Sequence, residues 1–230
     1  MRCAIMQPTY IPWAGYFNLI ASVDVFVFLD DVQYARKTWQ CKNRISRYGK
    51  VVTLEVPVIK APLQTRFDAI EVDNSKPWVD RHLQEIETAY MDAEFKKDAR
   101  MLLQDCLENT TQTKFLVDLN IAAIAAVCAK LGISTKFARA SELNCDGTRS
   151  DHVAAICSAV GAQTYVSPEG ARAYLAEDQF EKRHPFALEF QQFTPDEYPQ
   201  LGHQPFQSHL SIIDVIAQIG PEHARSYVRA

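Results

Sequence analysis

The sequence has no CxxC pair, no HxxH spacing and no GxGxxG fingerprint, so the common zinc, dithiol and dinucleotide-binding signatures are missing. Nor does it order serine, histidine and aspartate as a hydrolytic triad would. Its six cysteines are scattered at positions 3, 41, 106, 128, 145 and 157. Most lie in apolar or helical contexts, which reads as reduced structural thiols of a cytoplasmic protein. The N-terminus lacks the basic region, apolar stretch and cleavage site of a signal peptide. The longest apolar segment, around Ile121 to Val127, is too short to cross a bilayer, so no integral membrane segment is expected. Internal repeats and low-complexity linkers are missing as well. A formal net charge of −4 argues against a dedicated nucleic-acid binder.

What is present reads as one α/β domain over residues 1–230, of which 47% are hydrophobic and 23% charged. RCAIM and DVFVFLD suit strands of a buried parallel sheet, where both faces are covered and alternation is lost. WAGYFNLIAS between them fits a helix entered after Pro12, which makes a β-α-β unit. KTWQCKNRIS and VVTLEVPVI flank RYGK as a hairpin, extended by RFDAIEVD, with Pro57 and Pro62 at an edge. Three helical patterns then form an insertion at about 76–131, and Gly132 fits the C-cap of the last, apolar helix. The second half returns to α/β: STKFARASEL a strand, RSDHVAAICSAVG a helix, TYVS and ALEFQQF strands, and HLSIIDVIAQIG a helix closed by Gly220. The expected architecture is a mostly parallel, Rossmann-like sheet with an antiparallel hairpin and a helical insertion.

Ligands of open parallel sheets bind beyond the carboxyl ends of the strands. QPTYIPWAGYF, residues 7–17, is such a loop, stiff and aromatic. Gln7 and Tyr10 offer hydrogen bonds, Trp13 and Tyr16 flat faces, and Gly15 a close approach for ligand or backbone. The bland alternative is a rigid connection whose aromatics fill the core. A second candidate follows the next strand: from Arg36 to Lys50 stand six cationic side chains and no acidic one. In a strand Lys42 and Arg44 share one face, with Cys41, Asn43 and Ile45 on the other. One face suits a phosphate, with Trp39 for stacking, and Lys37 and Asn43 are further ligand-binding candidates of the segment, although a solvated edge guarded by lysines needs no ligand. Asp30 and Asp31 end the second strand but face opposite ways; no metal is expected. Ser167 and Gly170 in YVSPEG, and Ser211 with Asp214 one helical turn apart, are further site candidates or plain helix caps.

The order of several blocks is similar to that of a known bacterial family. AIMQPTYIPWAGYF, SVDVFVFLDDVQY, KTWQCKNRI, LVDLNIAAI, SELNCDGTRSDHVAAICSAVGAQTYVSPEGARAYL and HLSIIDVI resemble the corresponding segments of the WbqC-like proteins. One departure is Met6, where many members carry histidine, so any chemistry of a base at that position is missing here. The resemblance implies a role in surface-polysaccharide (O-antigen-type) precursor synthesis. The reading that follows is a transferase that moves an acyl or aminoacyl group onto the aminosugar of a nucleotide-sugar. Its partners would be small molecules, a nucleotide-sugar or an activated acyl donor. Gln7, Tyr10 and Trp13 would position sugar or base, Lys37 and Arg44 would neutralise phosphate, and Asp30 or Asp214 would take the acceptor's proton. The alternative is a non-catalytic module that binds a sugar-nucleotide or glycan precursor.

Overall fold

The two opening apolar runs become β1 (Arg2–Met6) and β2 (Val25–Phe28), paired in parallel with Cys3 opposite Val25 and Met6 opposite Phe28. A parallel pair needs a crossover, and α1 (Ala14–Ala21) supplies it. The computed structural model describes residues 1–107, 113–202 and 205–229. An antiparallel ribbon follows, β3 (Lys42–Arg47) on β4 (Lys50–Glu55), closed by Tyr48 and Gly49, both at positive φ. That pair of left-handed residues matches the right-handed twist of the ribbon. The insertion is α2 (Trp78–Ala89), α3 (Lys96–Leu107) and α4 (Leu116–Leu131), the last ended by Gly132 at φ 64°. Positions 108 and 109, which the sequence pattern adds to the second of these helices, lie outside the described residues.

The chain then returns to the first sheet through β5 (Lys136–Arg139), α5 (Ala140–Leu143), α6 (Arg149–Ala159) and β6 (Thr164–Ser167). It continues through α7 (Arg172–Glu177), α8 (Phe180–Arg183), β7 (Ala187–Phe190) and α9 (Ile212–Tyr227). Strand order is β5-β2-β1-β6-β7, with every pairing parallel. Ala4, Phe26, Phe28 and Val166 face one core, built with α1, α3, α4 and α9; Cys3, Ile5, Val25, Val27 and Tyr165 face the other, built with α6. Covered faces on both sides explain why the strands read as unbroken apolar runs.

Several segments depart from expectation: residues 37–41 of KTWQCKNRIS form turns ahead of β3, and residues 56–59 of VVTLEVPVI lie beyond β4. STKFARASEL is a strand only to Arg139 and then turns into α5, because Ser141 gives both its N–H and its hydroxyl to Asp30, each at 2.8 Å. RFDAIEVD does not extend the ribbon. Phe67–Ala69 form a 3-10 turn whose first N–H groups reach Val32 and Asp30 carbonyls, and only a single bridge, Val58 to Val72, marks the intended pairing. Gly220 does close the first part of α9: at φ 78° and ψ 165° it interrupts the helix before Pro221 restarts it. A Cβ there would meet the Phe95 ring at 2.8 Å, so both backbone and space require glycine.

Within α2, Trp78, His82, Ile86 and Ala89 are buried. His82 Nδ1 lies 2.8 Å from the Tyr10 hydroxyl. Burial lowers its pKa from 6.5 to about 4, and a hydrogen bond with the Glu55 backbone works the other way. Between those values the unfolded chain binds a proton that the folded chain refuses, so stability falls as pH drops from 6.5 towards 4. The expected loss is on the order of 3 kcal/mol from this side chain alone. Urea unfolding of wild type and His82→Gln at pH 7 and at pH 4.5 checks it: the acid-induced loss must be clearly smaller in the variant.

Candidate functional site

Strand order reverses at β1, which has β2 on one side and β6 on the other, so the crevice of a doubly wound sheet opens at the ends of β1 and β6. The loop leaving β1 is the stiff aromatic stretch, and its backbone is bound from three directions. Asn43 of the ribbon donates to the carbonyls of Tyr10 and Ile11 at 2.9 and 3.0 Å. Asn120 of α4 donates to Pro8 at 3.2 Å and to Gln40 at 2.7 Å. At the start of α9, the Ser211 hydroxyl donates to Ile11 at 2.8 Å, while the Ile212 N–H donates to Pro12 and the Ser211 N–H to Arg44, both at 2.8 Å. Gln7 accepts from Gln40 Nε2 at 2.8 Å. The first loop and the cationic ribbon are therefore joined, and Gln7, Asn43 and Ser211 are the side chains that join them.

The aromatics of the loop divide by burial. Tyr10 and Tyr16 are enclosed; Tyr16 donates its hydroxyl to the Gln7 carbonyl at 3.1 Å, and burial raises both phenols well above 10. Trp13 is half-buried, its ring 4.4 Å from that of His209 and 5.6 Å from that of Phe193. Gly15 leaves room for it: a Cβ at that position would lie 2.2 Å from the indole. Trp39, by contrast, is 46% exposed, with the Arg44 guanidinium 5.0 Å from its ring centre.

Both candidate carboxylates are fully enclosed. Asp30 pairs with Arg139 at 2.7 Å and accepts from Ser141, tying the end of β2 to the end of β5. Asp214 accepts from the Tyr90 hydroxyl at 2.6 Å, the Ser46 N–H at 3.0 Å and the Tyr198 hydroxyl at 2.8 Å, with Gln200 at 3.5 Å. Burial raises its pKa and those donors pull it back. Ser211 caps α9 by accepting from the Ile213 N–H at 3.3 Å, but Asp214 turns inward and does not reply to it. Ser167 is buried at the end of β6, and Gly170 is exposed in a 3-10 turn with open space around it. Ser167 ends β6 beside the end of β1, and neither residue takes part in the loop and ribbon hydrogen bonds above.

Beside the ribbon lies a hollow of about 480 Å³, lined by Tyr34, Arg36, Lys37, Glu55, Lys60 and Lys76 among others. Four cations face it against one carboxylate. Lys76 is held by Asp73 at 3.0 Å, and Arg36 donates to the Ala61 carbonyl. Lys37 and Lys60 have no ion-pair or hydrogen-bond partner for their ammonium groups among the described residues, and Lys37 is set at φ 57°. A second hollow of about 270 Å³, sharing Glu55, Pro57 and Lys76, adds Thr53, Arg81 and the carboxylate of Glu85. Sequence reasoning found Lys37 but not Lys60, Lys76 or Tyr34, because Lys60 and Lys76 come from segments beyond the basic run and meet it only through the fold. Among the described residues no group of three or more His, Cys, Asp or Glu is arranged to hold a metal.

Asn43→Ala leaves the Tyr10 carbonyl without its side-chain donor and the Ile11 carbonyl with Ser211 alone, and is expected to cost about 1–3 kcal/mol, read from the shift of the urea midpoint at constant slope. An unchanged midpoint would show that the loop holds its place without the ribbon.

No solved structure matches the chain. A protein of Mycobacterium tuberculosis (strain ATCC 25618 / H37Rv), named "Uncharacterized protein Rv1507c", is 33% identical over 230 residues, covering 99% of this chain and 97% of that protein. The model of the WbqC-like protein family matches residues 7–226, from the first loop to the last helix. The chain belongs to the WbqC-like protein family.

Proposed function

We propose that the protein binds the diphosphate of a nucleotide-sugar in the cationic hollow and acts in bacterial surface-polysaccharide precursor synthesis, transferring an acyl or aminoacyl group to the aminosugar. The observation that carries the anion reading is the charge of the hollow: Arg36, Lys37, Lys60 and Lys76 against Glu55 alone. Among the described residues Lys37 and Lys60 have no partner that would keep them from phosphate oxygens, and a diphosphate offers several charge-assisted acceptors. Arg44 lies on the ribbon outside the lining of this hollow, its guanidinium over the Trp39 ring and its buried Nε without a hydrogen-bond partner among the described residues. Tyr34 stays protonated, its pKa raised first by burial and then by Cys41, and so can donate to an anionic ligand.

A non-catalytic binding module is the second reading. The enclosure of Asp30 and Asp214 favours it, since a proton acceptor must come within hydrogen-bond reach of its substrate. Catalysis by either carboxylate requires the packing around it to open.

Calorimetric titration with a uridine diphosphate aminosugar tests the shared step. Lys37→Ala, Lys60→Ala and Arg44→Ala should each weaken binding about tenfold, on the order of 1.4 kcal/mol, with circular dichroism unchanged. Equal affinity in all three sinks the anion reading. Mass spectrometry of mixtures with activated acyl donors separates the two readings: an acylated sugar supports the transferase, and binding without product supports the module.

A further inference from the structure

Residues 32–66, which contain the ribbon and the two loops beside it, carry eight Lys and Arg against one carboxylate, Glu55. The whole chain has a net charge of −4, so this segment, with a net charge of +7, stands against a remainder of net charge −11. The same segment holds five of the nine large apolar side chains that are exposed among the described residues: Trp39, Tyr48, Val51, Ile59 and Leu63. Leu63 is 68% exposed and Ile59 50%. Ile59 lies on the wall of the cationic hollow with Arg36, Lys37 and Lys60. Leu63 is anchored next to them, its carbonyl accepting from Gln33 at 2.7 Å, while Arg36 donates to Ala61.

Lysines that guard a ribbon edge account for the charge but not for aliphatic side chains left in water. Nucleic acid would use the cations and the Trp39 face, yet it has no use for Val51, Ile59 and Leu63, and the acidic remainder of the chain opposes it. Clustered cations, an exposed tryptophan and tyrosine, and protruding aliphatic side chains suit a headgroup layer with hydrocarbon beneath it. No helix among the described residues is long and apolar enough to cross a membrane, so the contact is peripheral. We propose that the ribbon segment is a docking surface for an anionic lipid bilayer, with Ile59 and Leu63 entering the headgroup region and Arg36, Lys37 and Lys60 meeting lipid phosphates. An anionic surface attracts this segment and, on average, repels the acidic remainder of the chain. This inference goes beyond the nucleotide-sugar reading and stands without it.

Flotation of the full chain with large unilamellar vesicles tests it. Vesicles of phosphatidylcholine with phosphatidylglycerol should carry the protein up the gradient, those of phosphatidylcholine alone should not, and high salt should weaken the binding. Lys37→Ala should lower the partition about fivefold, and the double variant Ile59→Ser, Leu63→Ser about tenfold or more. All of these side chains are exposed, and circular dichroism verifies the fold. Failure of wild type to float with anionic vesicles overturns the proposal. So does flotation that the serine variant leaves unchanged, because that is charge adsorption alone. Tighter binding to a single-stranded oligonucleotide than to anionic vesicles, unaffected by the serine variant, would assign the surface to nucleic acid instead.

Discussion

A loop without regular structure can sit inside a protein only if its carbonyls find donors there. The carbonyls of Pro8, Tyr10, Ile11 and Pro12 find theirs in Asn120, Asn43, Ser211 and the first N–H of α9. That set of bonds is what the rest of the arrangement depends on. It draws the ribbon, the insertion and the last helix onto the end of β1, although those residues are separated by as many as 200 positions in the chain. Asn43 and Asn120 are buried for this reason, and each is a side chain with two amide hydrogens that can serve two carbonyls at once.

Once the ribbon is fixed there, its charge becomes a structural fact and not only a compositional one. The cations that bond to protein groups, such as Arg36 and Lys76, form the frame of the hollow. Lys37 and Lys60 line the same hollow and have no ion-pair or hydrogen-bond partner among the described residues. The carboxylates show the opposite logic. Asp30 and Asp214 are both surrounded by donors, so each behaves as an anchor between distant segments: Asp30 between β2 and β5, and Asp214 between α9, the ribbon and α2.

Much of the fold was legible because the signals were local. Apolar runs marked the strands, Gly132 and Gly220 marked helix ends by their need for positive φ, and RYGK marked the ribbon turn. The misread segments were those where a distant group overrode local preference. STKFARASEL has strand-like composition throughout, but Asp30 captures Ser141 and starts a helical turn. RFDAIEVD alternates like a strand, yet Phe67 is buried against Tyr34, and the N–H groups of Phe67 and Asp68 bond to Val32 and Asp30, in the segment that leaves β2. The aromatic loop was legible as something unusual, and its two possible uses were not separable from sequence, since Tyr16 in a core and Tyr16 against a ligand have the same neighbours along the chain.

By itself the sequence determined the β-α-β opening, the parallel sheet with its ribbon and helical insertion, and the concentration of cations after the second strand, because each depends on residues within a few positions of one another. The tertiary structure alone decided which polar side chains are consumed in holding the chain together and which remain free. Gln7, Asn43, Ser211, Asp30 and Asp214 fall in the first group and, among the described residues, Lys37 with Lys60 in the second. The reason is that a side chain's availability depends on the donors and acceptors folding brings within about 3 Å of it, and most of those come from far along the chain.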